Sequence, residues 1–119
     1  ILSYMIFNYA GLKDIVMNTG INQAKIDFSE VDIVTNYLKV LSNPDRLKIL
    51  CVLVEGELNV QKIEESTDID QPTLSQQLTV LRKNNMVSTR REGKQIFYQV
   101  SDPRILTIMQ TLHQLYCAA

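Results

Sequence analysis

A chain of 119 residues with 45% hydrophobic and 21% charged side chains has the size and make-up of one globular domain. Its 4 Gly, 3 Pro and 2 Cys exclude a collagen-like repeat, a low-complexity linker and a disulfide-rich scaffold. The 12 Lys+Arg and 13 Asp+Glu give a net charge of −1, but residues 1–70 carry −5 while residues 71–100 carry +4. That basic stretch holds Arg82, Lys83, Arg90, Arg91 and Lys94 against Glu92, and a local concentration of this kind points to a polyanion. A core this modest gains from a second buried surface, such as a dimer interface.

The opening, Ile1 to Leu12, is apolar but shorter than the ~18–20 residues of a membrane span. It lacks a basic n-region and a small-residue cleavage site, so it reads poorly as a signal peptide. Met17 reads as a start, and residues 1–28 as an N-terminal extension, partly helical or flexible, with the domain proper at residues 29–119. These features predict a cytoplasmic protein with reduced thiols and no membrane partner.

Ser29 predicts an N-cap, and Val31, Val34, Leu38 and Leu41 repeat at helical spacing over about 30–41. Asn43 caps the next helix, Pro44 opens it and Gly56 ends it, with Leu47, Leu50, Cys51 and Val54 on one face. After an extended Leu58-Asn59-Val60, a short helix spans about 60–66 with Val60 and Ile63 inward. Asp68-Ile69-Asp70 is a tight connection, and Asp70 caps a helix over about 71–84 whose buried stripe is Leu74, Leu78 and Leu81. Asn85 suits the left-handed position that follows. Val87–Arg91 and Gln95–Val100 form a hairpin turning at Gly93, with Phe97 and Tyr98 as core residues. Asp102 and Pro103 start a last helix running to about 116, with Ile105, Leu106, Met109, Leu112 and Tyr116 as a broad apolar stripe.

Two short helices at a tight turn followed by a basic hairpin give a mostly α winged helix-turn-helix with a β-hairpin wing. The second helix turns Gln71, Thr73, Ser75, Gln76 and Gln77 away from its leucine stripe. None is charged, and Gln and Ser/Thr side chains suit base edges in a major groove. Arg82 lies at the end of that helix, and Arg90, Arg91 and Lys94 lie where a wing meets phosphates. The predicted partner is double-stranded DNA.

The run from Leu41 to Leu50 (LSNPDRLKIL), Glu57-Leu58, the run from Gln71 to Arg82 (QPTLSQQLTVLR) and that from Arg91 to Tyr98 (REGKQIFY) resemble the ArsR/SmtB family of winged-helix repressors. The resemblance covers about residues 30–117. It implies a homodimer, paired through the first and last helices of the domain, that binds a palindromic operator and releases it when an inducer arrives. Many members bind metals. At the positions of one common thiolate site this chain has Asn59 and Gln61. At those of a second site Asp102 matches, but Arg104, Leu115 and Ala118 replace the other ligands. Neither a metal nor another cofactor is expected at those sites.

Cys51 and Cys117 remain, and the pair resembles the dithiol branch of the family, which senses persulfide or oxidant. That resemblance implies release when the two thiols are crosslinked by reactive sulfur species or by oxidation. A metal-responsive repressor using Cys51, His113 and Cys117 is an alternative, since His-x3-Cys spaces two ligands on one helical face. A small thiol enzyme with Cys117 as nucleophile and His113 as base is another, but it leaves the helix-turn-helix pattern unexplained.

Overall fold

In the computed structural model, which describes residues 27–117, most helices begin where short polar side chains place them. The helices are α1 (Val31–Leu41), α2 (Pro44–Leu53), α3 (Val60–Thr67), α4 (Thr73–Lys83) and α5 (Pro103–Tyr116). The strands are β1 (Leu58–Asn59), β2 (Val87–Glu92) and β3 (Gln95–Val100). Asn43 Oδ1 accepts the Arg46 amide at 3.0 Å, Asn59 Oδ1 the Lys62 amide at 2.8 Å, and Asp102 Oδ1 the Arg104 amide at 2.9 Å. Each satisfies an amide that its helix leaves without a partner. Pro44 and Pro103 open α2 and α5, where a missing N–H costs nothing.

Two helix starts differ from the sequence reading. The Ser29 hydroxyl and amide both donate to the Asp27 carboxylate, at 3.0 and 2.9 Å, so the turn before α1 is built on Asp27. Those bonds hold the Asp27 carboxyl below its ordinary range. Helix α4 begins at Thr73, with Pro72 in the cap position and no side-chain cap from it. Asp70 contributes its carbonyl, which accepts the Leu74 amide at 3.0 Å. The side-chain acceptor is Gln71 Oε1, which takes the Ser75 amide at 3.0 Å and the Ser75 hydroxyl at 2.6 Å. The longer Gln side chain reaches across the first turn of the helix.

Packing divides the chain at Val34, and the core and sites described below lie from Thr35 onward. Before that boundary Phe28, Val31, Ile33 and Val34 are exposed. Beyond it, Ile49, Leu50, Leu53, Ile63, Leu74, Leu78, Leu81, Met86 and Ile105 are fully buried. Burying side chains of this size contributes about 1.5–3 kcal/mol each before chain entropy is counted.

Helix α2 packs through Ile49, Leu50 and Leu53, while Cys51 is exposed and Val54 half-buried. The predicted stripe through Cys51 is therefore displaced toward Ile49 and Leu53. Every residue from Ile49 to Val54 is apolar, so periodicity does not choose the buried face, and tertiary packing does.

The turn between α3 and α4 is fixed by Thr67, a buried polar side chain. Its hydroxyl donates to the Ile63 carbonyl at 2.7 Å and accepts the Ile69 amide at 3.3 Å. Asp68 follows in the left-handed region at φ 58°, its amide bonded to the Glu64 carbonyl at 2.9 Å. At the other end of α4, Asn85 takes the left-handed conformation at φ 57°, and the Met86 amide closes onto the Leu81 carbonyl at 3.1 Å.

The wing is a three-stranded antiparallel sheet in the order β1-β3-β2. The sequence read Leu58-Asn59-Val60 as extended, and in the structure Leu58–Asn59 joins the hairpin as a third strand. The two-residue β1 pairs Leu58 with Tyr98 and Asn59 with Phe97, anchoring the start of α3 to the hairpin. Tyr98 packs on the core, but Phe97 is only half-buried and lies beneath the Arg90 guanidinium, 4.3 Å from its ring centre. Among the described residues no helix is long and apolar enough to cross a membrane.

Candidate nucleic-acid interface and thiol pair

Burying Leu74, Leu78 and Leu81 forces the other face of α4 outward. Gln71, Ser75 and Gln76 are exposed, as is Arg82 in the last turn; Thr73 and Gln77 are half-buried. The exposed surface of the first two turns is uncharged and rich in donors and acceptors. Its members are not equally free. Gln71 and Ser75 are bonded to each other, and Gln77 Oε1 accepts from Arg46 Nη1 at 2.8 Å. Arg46 reaches the other way as well, its Nε donating to the Val40 carbonyl at 2.7 Å. One guanidinium therefore joins the C-terminal end of α1 to the middle of α4.

The wing divides its cations into two kinds. Arg90 is paired with Glu57 at 2.6 Å and Glu92 at 2.9 Å, and it stacks on Phe97. The Arg90 hydrogen bonds hold the Glu57 carboxyl below its ordinary range. Arg91 and Lys94 are exposed at the tip around Gly93, which sits at φ 61°. Arg91 Nε bonds only weakly to the Gly93 carbonyl, at 3.2 Å. The two tip residues present the charge most accessible to a phosphate, whereas Arg90 is already neutralised.

Cys51 on α2 and Cys117 at the end of α5 are both free and exposed. Burial against neighbouring groups pushes the Cys51 thiol above its ordinary value of 9.0, and the charge of Cys117 adds to that effect. Beside Cys51 opens a cavity of about 730 Å³ between α2 and α5, which His113 also lines. Among the described residues no three His, Cys, Asp or Glu side chains stand close enough to share a metal ion. The set Cys51, His113 and Cys117 is thus not assembled as a metal site.

Comparison with known proteins decides the family. Residues 43–89, from the cap of α2 into β2, match the family model described as bacterial regulatory protein, arsR family. The chain is 48% identical over 85 residues to the biofilm growth-associated repressor of Xylella fastidiosa (strain 9a5c), covering 71% of this chain and 75% of that protein. The chain belongs to the ArsR family of bacterial regulatory proteins. This ArsR-family chain is also 39% identical over 82 residues to the transcriptional activator HlyU of Vibrio cholerae, covering 69% of it and 76% of HlyU. It superposes on the crystal structure of the transcriptional repressor BigR from Xylella fastidiosa with a TM-score of 0.72 at 46% identity, covering 76% of this chain and 92% of that one. The family is one of regulators rather than enzymes, and the winged helix-turn-helix predicted from sequence is the fold observed.

Several residues that organise the sites of this ArsR-family regulator were not singled out from its sequence. Arg46 is one, and Glu57, which neutralises Arg90, is another. Asn36 Nδ2 donates to Asn84 Oδ1 at 3.2 Å, a second tie between α1 and the end of α4. Tyr37 donates to Asp102 and stacks under Arg104 at 5.0 Å, joining α1 to the start of α5. Each depends on a partner at least 31 positions away, so local spacing carries no signal for it.

Proposed function

We propose that this ArsR-family regulator is a cytoplasmic, homodimeric repressor that binds operator DNA and releases it when Cys51 and Cys117 are crosslinked. Base edges are met by the α4 face, chiefly Thr73, Gln76 and Gln77, with Gln71 and Ser75 setting the helix start. Phosphates are met by Arg82, Arg91 and Lys94. Dimerisation is supported by exposed apolar side chains on the first and last helices. Leu38 is 61% exposed, Leu115 69% and Tyr116 81%, values unusual for residues of this kind unless something covers them.

The observation that supports the switch is the pair of free, exposed thiols, Cys51 on α2 and Cys117 at the C-terminal end of α5. With an organic persulfide, the Cys51 thiolate takes the outer sulfur and the carrier leaves as its thiol. Cys117 then attacks the Cys51 sulfur and releases hydrogen sulfide, closing a disulfide. A closed bond demands Cα atoms about 4.4–6.8 Å apart, so it fixes the end of α5 against α2. Because α5 also carries the exposed dimer-side residues, that constraint alters the spacing of the two α4 helices in a dimer.

The test is a fluorescence-anisotropy titration of operator DNA with reduced, persulfide-treated and zinc-treated protein. Release by persulfide that is abolished in Cys51→Ser and in Cys117→Ser supports the switch. Oxidised protein that holds the operator as tightly as reduced protein refutes it.

A further inference from the structure

The cavity beside Cys51 is far larger than sulfur chemistry alone requires. At about 730 Å³ it is the size of a site for an organic molecule, whereas a hydrosulfide ion or a peroxide needs a small fraction of that space. Its apolar surface comes from Val52, Val54, Leu58 and Met109, and its polar rim from hydroxyls and amides of Ser66 and α5. On α5, Thr107, Gln110, Thr111 and Gln114 recur at helical spacing, so one whole polar face of that helix lines the chamber. The Thr107 and Thr111 hydroxyls donate to the Pro103 and Thr107 carbonyls, at 3.2 and 2.8 Å, which leaves their oxygens able to accept. The lining contains one carboxylate, Glu55, in the turn that follows α2 four residues after Cys51, one imidazole, His113, and no Lys or Arg.

From these features we propose that the chamber is a recognition site for the organic group carried by a disulfide or persulfide that loads Cys51, and that it selects neutral or cationic, partly apolar carriers over anionic ones. The proposal rests on the thiol-switch reading and names the class of molecule that reaches it. The Cys51 thiolate attacks one sulfur of R–S–S–R, a Cys51–S–S–R bond forms, and the carrier leaves as R–S⁻. Cys117 then attacks the Cys51 sulfur and expels the second R–S⁻. The disulfide is the oxidant, reduced to two thiols as the protein pair is oxidised. The side of the chamber determines which R can sit beside Cys51 while the bond is made. Glu55 disfavours a carboxylate there and favours an ammonium, and the lining offers no Lys or Arg as a permanent counter-ion for an acid.

The loading step can be isolated in the full chain carrying Cys117→Ser. Its rate would be followed by intact mass at pH 8 with cystamine, bis(2-hydroxyethyl) disulfide and dithiodiglycolate, each normalised to its rate on the same chain unfolded in urea. The expected order is cystamine, then the neutral disulfide, then the dicarboxylate, with about threefold or more between the extremes. Adding Glu55→Gln should collapse that spread, and adding Thr111→Phe, which fills the chamber, should slow all three. Equal normalised rates, or a spread that Glu55→Gln leaves intact, overturn the proposal. The two-cysteine chain keeps the questions separate. Operator release by all three reagents without charge preference sinks the chamber alone, and ordered loading without crosslinking or release sinks the switch alone.

Discussion

Arg46 donates to Gln77 at 2.8 Å with one nitrogen and to the Val40 carbonyl at 2.7 Å with another. A side chain of α4 is thereby held at a fixed distance from the end of α1. Its oxygen is aimed inward, which leaves the two amide protons of Gln77 as its outward donors. Gln77 is thus oriented by Arg46, and under the proposed function that orientation is set before DNA arrives by a residue that does not itself need to touch a base.

Arg46→Ala is expected to weaken operator binding by about 1–2 kcal/mol, on the scale of a lost charged hydrogen bond, and to alter preference at the same base pairs as Gln77→Ala. Arg46→Lys should recover little, because a point ammonium cannot serve both partners in the fork geometry. A double-mutant cycle on operator affinity checks it: strongly non-additive losses are expected, and simple additivity would show that the two residues act apart.

The two kinds of wing cation should separate in a salt titration. Arg91→Ala or Lys94→Ala should weaken binding to every duplex and reduce the slope of log K against log salt by about 1 each. Arg90→Ala should change that slope less, since its charge already faces Glu57 and Glu92. Glu57→Gln should do the opposite, tightening non-specific binding by releasing part of the Arg90 charge. Equal slopes for Arg90→Ala and Arg91→Ala would overturn the division.

Thiol reactivity gives a pH test. Because burial and then the Cys117 charge push the Cys51 thiol upward, its thiolate forms at higher pH than that of an ordinary cysteine. Alkylation of Cys51 by iodoacetamide, followed by peptide mass spectrometry, should therefore rise through a midpoint above 9.0. Cys117→Ser removes the second cause, so the midpoint should move down while staying above the ordinary value. An unchanged midpoint would mean that the two sulfurs do not sense each other.

Asp102 supplies an acid-stability test. Burial works to raise its pKa, but hydrogen bonds from Tyr37 and Arg104 and the Arg104 charge outweigh it, so the folded value lies below 3.8. A carboxyl depressed in the folded state contributes stability above its unfolded pKa, and that contribution is lost as pH falls through the folded value. Asp102→Asn keeps a capping oxygen but loses the charge. It should leave unfolding less sensitive to pH below about 4, measured by urea denaturation at several pH values. Asp102→Ala should also cost about 1 kcal/mol at neutral pH through the lost cap.

Much of the fold was legible because its signals are local. Asn43, Asn59 and Asp102 cap helices a few residues away, Asn85 and Gly93 take the left-handed conformations their positions require, and the Leu74-Leu78-Leu81 stripe fixes which face of α4 is outward. The reading failed where several local choices were equally good. An uninterrupted apolar run let Cys51 be assigned to the buried side of α2, and Asp70 was a credible cap until Pro72 and Gln71 set the start of α4.

By itself, then, the order of residues determined the element sequence, the outward polar face of α4 and the basic wing, since caps, periodicity and charge act within a few positions. Only the folded chain decided which wing arginine is neutralised, which residue steadies Gln77, that Cys51 faces outward and that a chamber adjoins it. Those outcomes come from side chains of distant elements meeting in space, where ion pairing, hydrogen bonding and burial depend on distance and not on spacing along the chain.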